Sequence, residues 1–79
     1  MIRVRLFAAL RELAGAGELS DVPGRTVGEL ADALGSRFGD RFSQIAAVSS
    51  FVVNGERASW STAVADGDEI AILPPVSGG

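Results

Sequence analysis

The sequence predicts an α+β domain in which one face of a sheet covers a main helix and the other face stays partly wet. Three observations carry that expectation. An amphipathic run with a capping signature starts at Thr26, alternating segments lie at residues 2–7 and 69–73, and Asn54-Gly55 marks a tight hairpin. At 79 residues the chain is one small domain, with 47% apolar residues and 22% charged. A domain of this size buries only about 60% of its unfolded surface, so its core is thin.

In residues 2–7, Ile2, Val4 and Leu6 share one face while Arg3, Arg5 and Phe7 share the other, as in a half-buried strand. Ala8–Ala14 is rich in helix formers and is stopped by Gly15-Ala16-Gly17, which predicts about two helical turns. Glu18–Val22 reads as a short strand before the turn at Pro23-Gly24. Thr26-Val27-Gly28-Glu29 then fits a capping box. Val27, Leu30, Ala31, Leu34 and Phe38 follow at helical spacing, with Gly35 or Gly39 as the stop. Residues 40–48 suit a loose turn or a second short helix. Ser50–Val53 and Glu56–Trp60 flank Asn54-Gly55, the favoured pair for a two-residue turn with positive φ at both positions. Ala65-Asp66-Gly67-Asp68 is a further turn. Glu69–Leu73 is the last strand, with Ile70 and Ile72 inward and Glu69, Ala71 and Leu73 outward, and Pro74-Pro75 ends it.

Composition excludes several chemistries. Cysteine and histidine are absent, which removes thiol and imidazole nucleophiles, the usual general base and the usual zinc ligands. All seven basic residues are arginine against ten acidic ones, net −3, so no side-chain amine serves Schiff-base chemistry or a phosphate-loop lysine. An acidic chain with dispersed arginines is a poor match to a nucleic-acid binder. Nothing approaches a membrane span, and the apolar stretch Leu6–Leu10 is cut off at Arg11-Glu12, so a cytoplasmic, unprocessed protein is expected. Asp66, Asp68 and Glu69 read as turn residues rather than cation ligands, Gly15-Ala16-Gly17 as a linker, and Trp60 as half-buried on the hairpin.

The C-terminus holds the one promising chemical group. Terminal Gly78-Gly79 alone suits a frayed end, but this one follows directly on a core strand and is stiffened at its root by Pro74-Pro75. Pro75, Val76, Ser77, Gly78 and Gly79 extended reach about 16–18 Å. Two residues without Cβ fit a narrow channel and leave φ free at the reactive carbon. The matching chemistry is acyl activation: the carboxylate attacks the α-phosphorus of ATP, becomes a mixed anhydride, and then accepts sulfur or is captured by an amine.

Leu6-Phe7-Ala8-Ala9-Leu10-Arg11-Glu12-Leu13-Ala14-Gly15, the hairpin Val53-Asn54-Gly55-Glu56, and the stretch from Asp66 to Gly79 ending Pro74-Pro75-Val76-Ser77-Gly78-Gly79 together resemble the small subunit of molybdopterin synthase, in the MoaD branch of the MoaD/ThiS ubiquitin-like sulfur carriers. The resemblance covers essentially the whole chain, and the Pro-Pro-Val-Ser-Gly-Gly ending is its most specific part. It implies a β-grasp fold: a mixed sheet of four to five strands on one main helix, residues 1–74, with a flexible Gly-Gly tail over 75–79.

The resemblance further implies that a ubiquitin-activating-type enzyme adenylates Gly79 with MgATP and that the carboxylate becomes a thiocarboxylate. The sulfur then passes to a cyclic pterin phosphate precursor inside the large synthase subunit, during molybdenum cofactor synthesis. On this reading the chain is not an enzyme by itself, holds no metal or permanent cofactor, and has the activating enzyme and the large subunit as partners, with no nucleic acid or membrane. Phe7 and Leu73, on the outward face of strands that the β-grasp makes parallel neighbours, would form an apolar patch with Pro74. Their burial at a contact would contribute roughly 3–6 kcal/mol before association costs. Arg11 matches the family's arginine after the first strand, as a clamp on tail or partner carbonyls or as a solvated helix charge. Leu73 stands where relatives often carry an aromatic, and Arg37–Ser50 has no distinctive family motif. The alternatives are a paralogous carrier for thiamine or cysteine biosynthesis, a ubiquitin-like modifier conjugated through Gly79, and an interaction module with an inert tail.

Overall fold

In a computed structural model the described residues are 1–75, so Val76, Ser77, Gly78 and Gly79 lie outside them. The chain runs β1 (Arg3–Leu6), α1 (Ala8–Ala14), β2 (Glu18–Leu19), α2 (Val27–Phe38), α3 (Asp40–Ala47), β3 (Ser50–Val53), β4 (Glu56–Ala58) and β5 (Glu69–Leu73). The five strands form one mixed sheet in the order β2-β1-β5-β3-β4. Only β1 and β5 are parallel, with Val4 opposite Ile70 and Leu6 opposite Ile72; the other neighbours are antiparallel.

The core lies on one face of that sheet. Val4, Leu6, Phe51, Ile70 and Ile72 point inward and meet Leu10 of α1, Val27, Leu30, Ala31 and Leu34 of α2, and Phe42 and Ala46 of α3. All three helices therefore pack on the same side. Full burial of one such apolar side chain contributes about 1.5–3 kcal/mol, and nine of the larger ones, Phe42 among them, are essentially inaccessible.

The α2 start follows the capping logic. Thr26 Oγ1 accepts from the Glu29 amide at 3.1 Å, while Glu29 Oε1 accepts from the Arg25 amide at 2.8 Å, one residue ahead of the threonine. Asn54 (φ 51°) and Gly55 (φ 83°) form the expected turn.

Three strand boundaries move from their expected places, and two alternatives that the sequence left open are settled. The first strand stops at Leu6: Phe7 is the N-cap of α1, and Ala8 takes a left-handed φ of 51° that turns the chain out of the sheet. Helix α2 passes through Gly35 and stops at Gly39, where φ is 101° and the amide bonds the Gly35 carbonyl. Residues 40–47 then form a full helix. Gly35 lets α3 come close, because a Cβ there would overlap Ser43 Oγ. The strand expected at Glu56–Trp60 ends at Ala58, since Ser59 and Thr62 close a local turn: the Ser59 amide donates to Thr62 Oγ1 at 2.9 Å and the Thr62 amide to the Ser59 carbonyl at 3.1 Å. Trp60 consequently sits in a loop, 42% exposed, edge-on to Phe51 and against Gly28 of α2. The second strand shrinks to Glu18–Leu19.

Candidate functional site

The sheet has a second face, and its residues follow from the register. Because Val4, Leu6, Phe51, Ile70 and Ile72 are buried, their neighbours along each strand point away from the helices. Side by side across the sheet stand Glu18, Arg5, Ala71, Val52 and Arg57, one from each strand in spatial order. One step toward the end of β5 come Leu73 and Ser50, paired with each other, and Phe7 beyond Arg5.

Phe7, Val52, Ala71 and Leu73 are half-buried, yet none packs against the core. They line a face of the sheet that none of the three helices covers. Phe7 keeps extended backbone angles (φ −133°, ψ 154°) although the ladder has ended, so its ring stays on the outward face. The Arg5 guanidinium lies 5.6 Å from that ring's centroid, a cation–π distance available only if both side chains share this face. The chain leaves β5 at Leu73 through half-buried Pro74 and exposed Pro75. An apolar strip thus runs to the point from which the last four residues depart.

Of the residues singled out in the sequence, Phe7, Leu73 and Pro74 are gathered at this end of the sheet. Arg11 is exposed in the last turn of α1, and its side chain lies over Gly17, so it borders an open groove with Ala8, Glu12 and the Gly15–Gly17 connection. A cation there also complements the helix C-terminal carbonyls. Pro75 is exposed; Val76, Ser77, Gly78 and Gly79 fall outside the described residues. Val52 and Arg57 were not anticipated. The signal for them was present: a two-residue hairpin turn forces Val53 opposite Glu56 and therefore Val52 opposite Arg57.

The carboxylates of the 66–69 turn are occupied structurally. Asp68 accepts from Asn54 Nδ2 (2.9 Å) and from the Ala65 amide (2.9 Å), and Asn54 Oδ1 accepts from the Glu69 amide (3.0 Å). The Asn54 bond first, then the amide, holds the Asp68 carboxyl below its usual 3.8. Asp66 lies 3.1 Å from the Met1 amino group. Among the described residues no helix is long and apolar enough to cross a membrane.

A mixed five-stranded sheet wrapped on helices, with the terminal strand central and parallel to the first, defines a ubiquitin-like β-grasp protein. The chain belongs to the ThiS family, whose family model matches residues 4–79, and so to the ubiquitin-like sulfur carriers. Small archaeal modifier protein 1 of Haloferax volcanii is 44% identical over 85 residues, covering 95% of this chain and 97% of that protein. The molybdopterin synthase sulfur carrier subunit of Aedes aegypti is 33% identical over 89 residues, covering 100% of this chain and 91% of the relative. Among solved structures, the BexX/CysO complex of Amycolatopsis orientalis contains a chain that superposes with a TM-score of 0.80 at 27% identity, with 100% of both chains covered.

Proposed function

We propose that this chain is the sulfur-carrier small subunit of a molybdopterin synthase. The observation that carries the proposal is the apolar strip on the uncovered sheet face, which ends where the chain departs toward Gly78-Gly79. The 33% identity to a molybdopterin synthase sulfur carrier subunit supports it.

In this reading a carboxylate oxygen of Gly79 attacks the α-phosphorus of MgATP in an activating enzyme. The bond to the bridging oxygen breaks, pyrophosphate leaves, and an acyl adenylate remains. A sulfur nucleophile at the sulfide level then attacks the acyl carbon and displaces AMP, giving the thiocarboxylate. Phe7, Leu73 and Pro74 seat the body on the large subunit while Pro75, Val76 and Ser77 carry Gly78-Gly79 into its active site. There the sulfur passes to a cyclic pterin phosphate precursor. The carrier supplies position and cargo; the partners supply the catalytic side chains, consistent with a chain lacking Cys, His and Lys. Arg11 is assigned to tail or partner carbonyls.

A second reading has its own support in the 44% identity to a small archaeal modifier protein. Gly79 would then be joined to amines of other proteins, but not to lysines of its own copies, because the chain has none. A carrier paired with cysteine biosynthesis shares the activation step.

Deleting Gly78 and Gly79 tests the proposal in an assay containing the activating enzyme, MgATP, a sulfur donor and the large subunit. Loss of molybdopterin formation with an unchanged melting temperature is expected, since the last residues of a domain generally contribute little packing. Full activity of the truncated chain contradicts it. Higher-mass adducts in cells that are sensitive to isopeptide cleavage favour the modifier reading.

A further inference from the structure

We propose that the open sheet face takes a protein partner whose apolar contact surface is bordered by carboxylates, one set facing Arg57 and one facing Arg5; the inference deepens, and rests on, the carrier reading above. The apolar centre of this face is Val52, Ala71 and Leu73, and its two flanks are both cationic. Arg57 stands beside Val52 on the edge strand, and Arg5 stands beside Ala71 on the other side.

The charge on this face differs in sign from the rest of the molecule. On this face stand three arginines (Arg3, Arg5 and Arg57) and two glutamates (Glu18 and Glu69), whereas Glu56 of β4 pairs with Val53 and belongs to the other face. The remainder of the chain carries four arginines and eight acidic residues. Arg3 and Glu69 offset each other at 3.6 Å. Among the described residues Arg5 and Arg57 enter no ion pair within 4.0 Å, although Glu18 is the cross-strand neighbour of Arg5. With a screening length of about 8 Å at physiological salt, an approaching surface senses the local charges before the net charge. An acidic-rimmed partner is therefore repelled by most of this molecule and admitted at this one face, which orients it with the tail root at the contact. A basic partner would be drawn to the wrong sides. Guanidinium groups suit the task, since they stay charged, pair with carboxylates in two-pronged fashion and lay their apolar stems along neighbouring residues.

The test is binding of the full-length carrier to the large subunit from the same cells, at low and high salt. Arg57→Glu is the main variant because Arg57 does not touch Phe7; Arg57→Gln serves should the reversal disturb the edge strand. Arg41→Glu on α3 makes the same net-charge change on the opposite side. Expected are an affinity loss of about tenfold for Arg57→Glu at low salt, mostly in the association rate, a smaller loss for Arg57→Gln, convergence toward the parent at high salt, and no change for Arg41→Glu. Parent-like binding by both folded Arg57 variants, while Leu73→Asp abolishes the complex, overturns the carboxylate rim and leaves the carrier reading standing. Equal losses for Arg41→Glu and Arg57→Glu overturn it as a bulk-charge effect. Self-association of the carrier that Leu73→Asp abolishes assigns the face to a second copy and overturns it also. No complex with the parent chain removes both the carrier reading and this inference.

Discussion

Two residues on opposite sides of the sheet show folding and function carried by different surfaces. Gly35 is buried at the α2–α3 contact, and its missing Cβ is the space that Ser43 occupies. Gly35→Ala therefore has two opposing effects: a gain in helix propensity of up to about 1 kcal/mol and an overpacking cost of about 1–3 kcal/mol. The clash is with a serine that sits on an adjacent rigid helix, so the cost wins. The expected result is a net destabilisation of about 1–2 kcal/mol in chemical denaturation, relieved by Ser43→Gly. Phe7→Ala should behave oppositely. Its ring does not belong to the core, so the fold should survive nearly unchanged, whereas affinity for the large subunit should fall roughly 10- to 100-fold in a titration. Parent-like affinity would remove Phe7 from the interface.

At the level of elements, the parts with local chemistry were legible and those decided by tertiary contact were not. Asn54-Gly55 and Thr26…Glu29 specify their structures within four residues, and both formed as read. The α2–α3 boundary was ambiguous because Gly35 and Gly39 are equally good stops in sequence; the close approach of Ser43 settles the role of Gly35. β4 was overestimated because the hydroxyls of Ser59 and Thr62 offer the backbone a turn in place of a ladder. For the site, alternation exposed Phe7 and Leu73, but Val52 lies between two apolar neighbours and shows no alternation of its own.

The hairpin and β5 are also joined by Asp68, whose carboxyl is held below its usual 3.8 by Asn54 and the Ala65 amide, and Asp21 is lowered likewise by Arg37. A carboxyl depressed in the folded state stabilises above its unfolded value and loses that contribution as pH falls through its folded value. Stability should therefore decline below about pH 3.8, and Asp68→Ala should both lower the melting temperature at neutral pH and flatten that acid limb. An unchanged acid limb would show that Asp68 is not linked to folding.

At the scale of the molecule, the helices and the core occupy one side of the sheet, and none of the helices covers the other. The chain end departs from the strand at the sheet's centre, so whatever grips the open face also holds the root of the tail. The body has no thiol, imidazole or amine side chain to capture an activated terminus, and on the carrier reading its folded part serves as a handle. What remains at stake is whether Gly79 carries cargo. Intact-protein mass spectrometry of the chain purified from its own cells, without reducing or alkaline treatment, reads this directly. The account predicts a fraction whose mass is raised by the replacement of one oxygen with sulfur, localised to Gly79 and lost when the activating enzyme is deleted. A terminus found only as the plain carboxylate, in cells actively making the molybdenum cofactor, would contradict it.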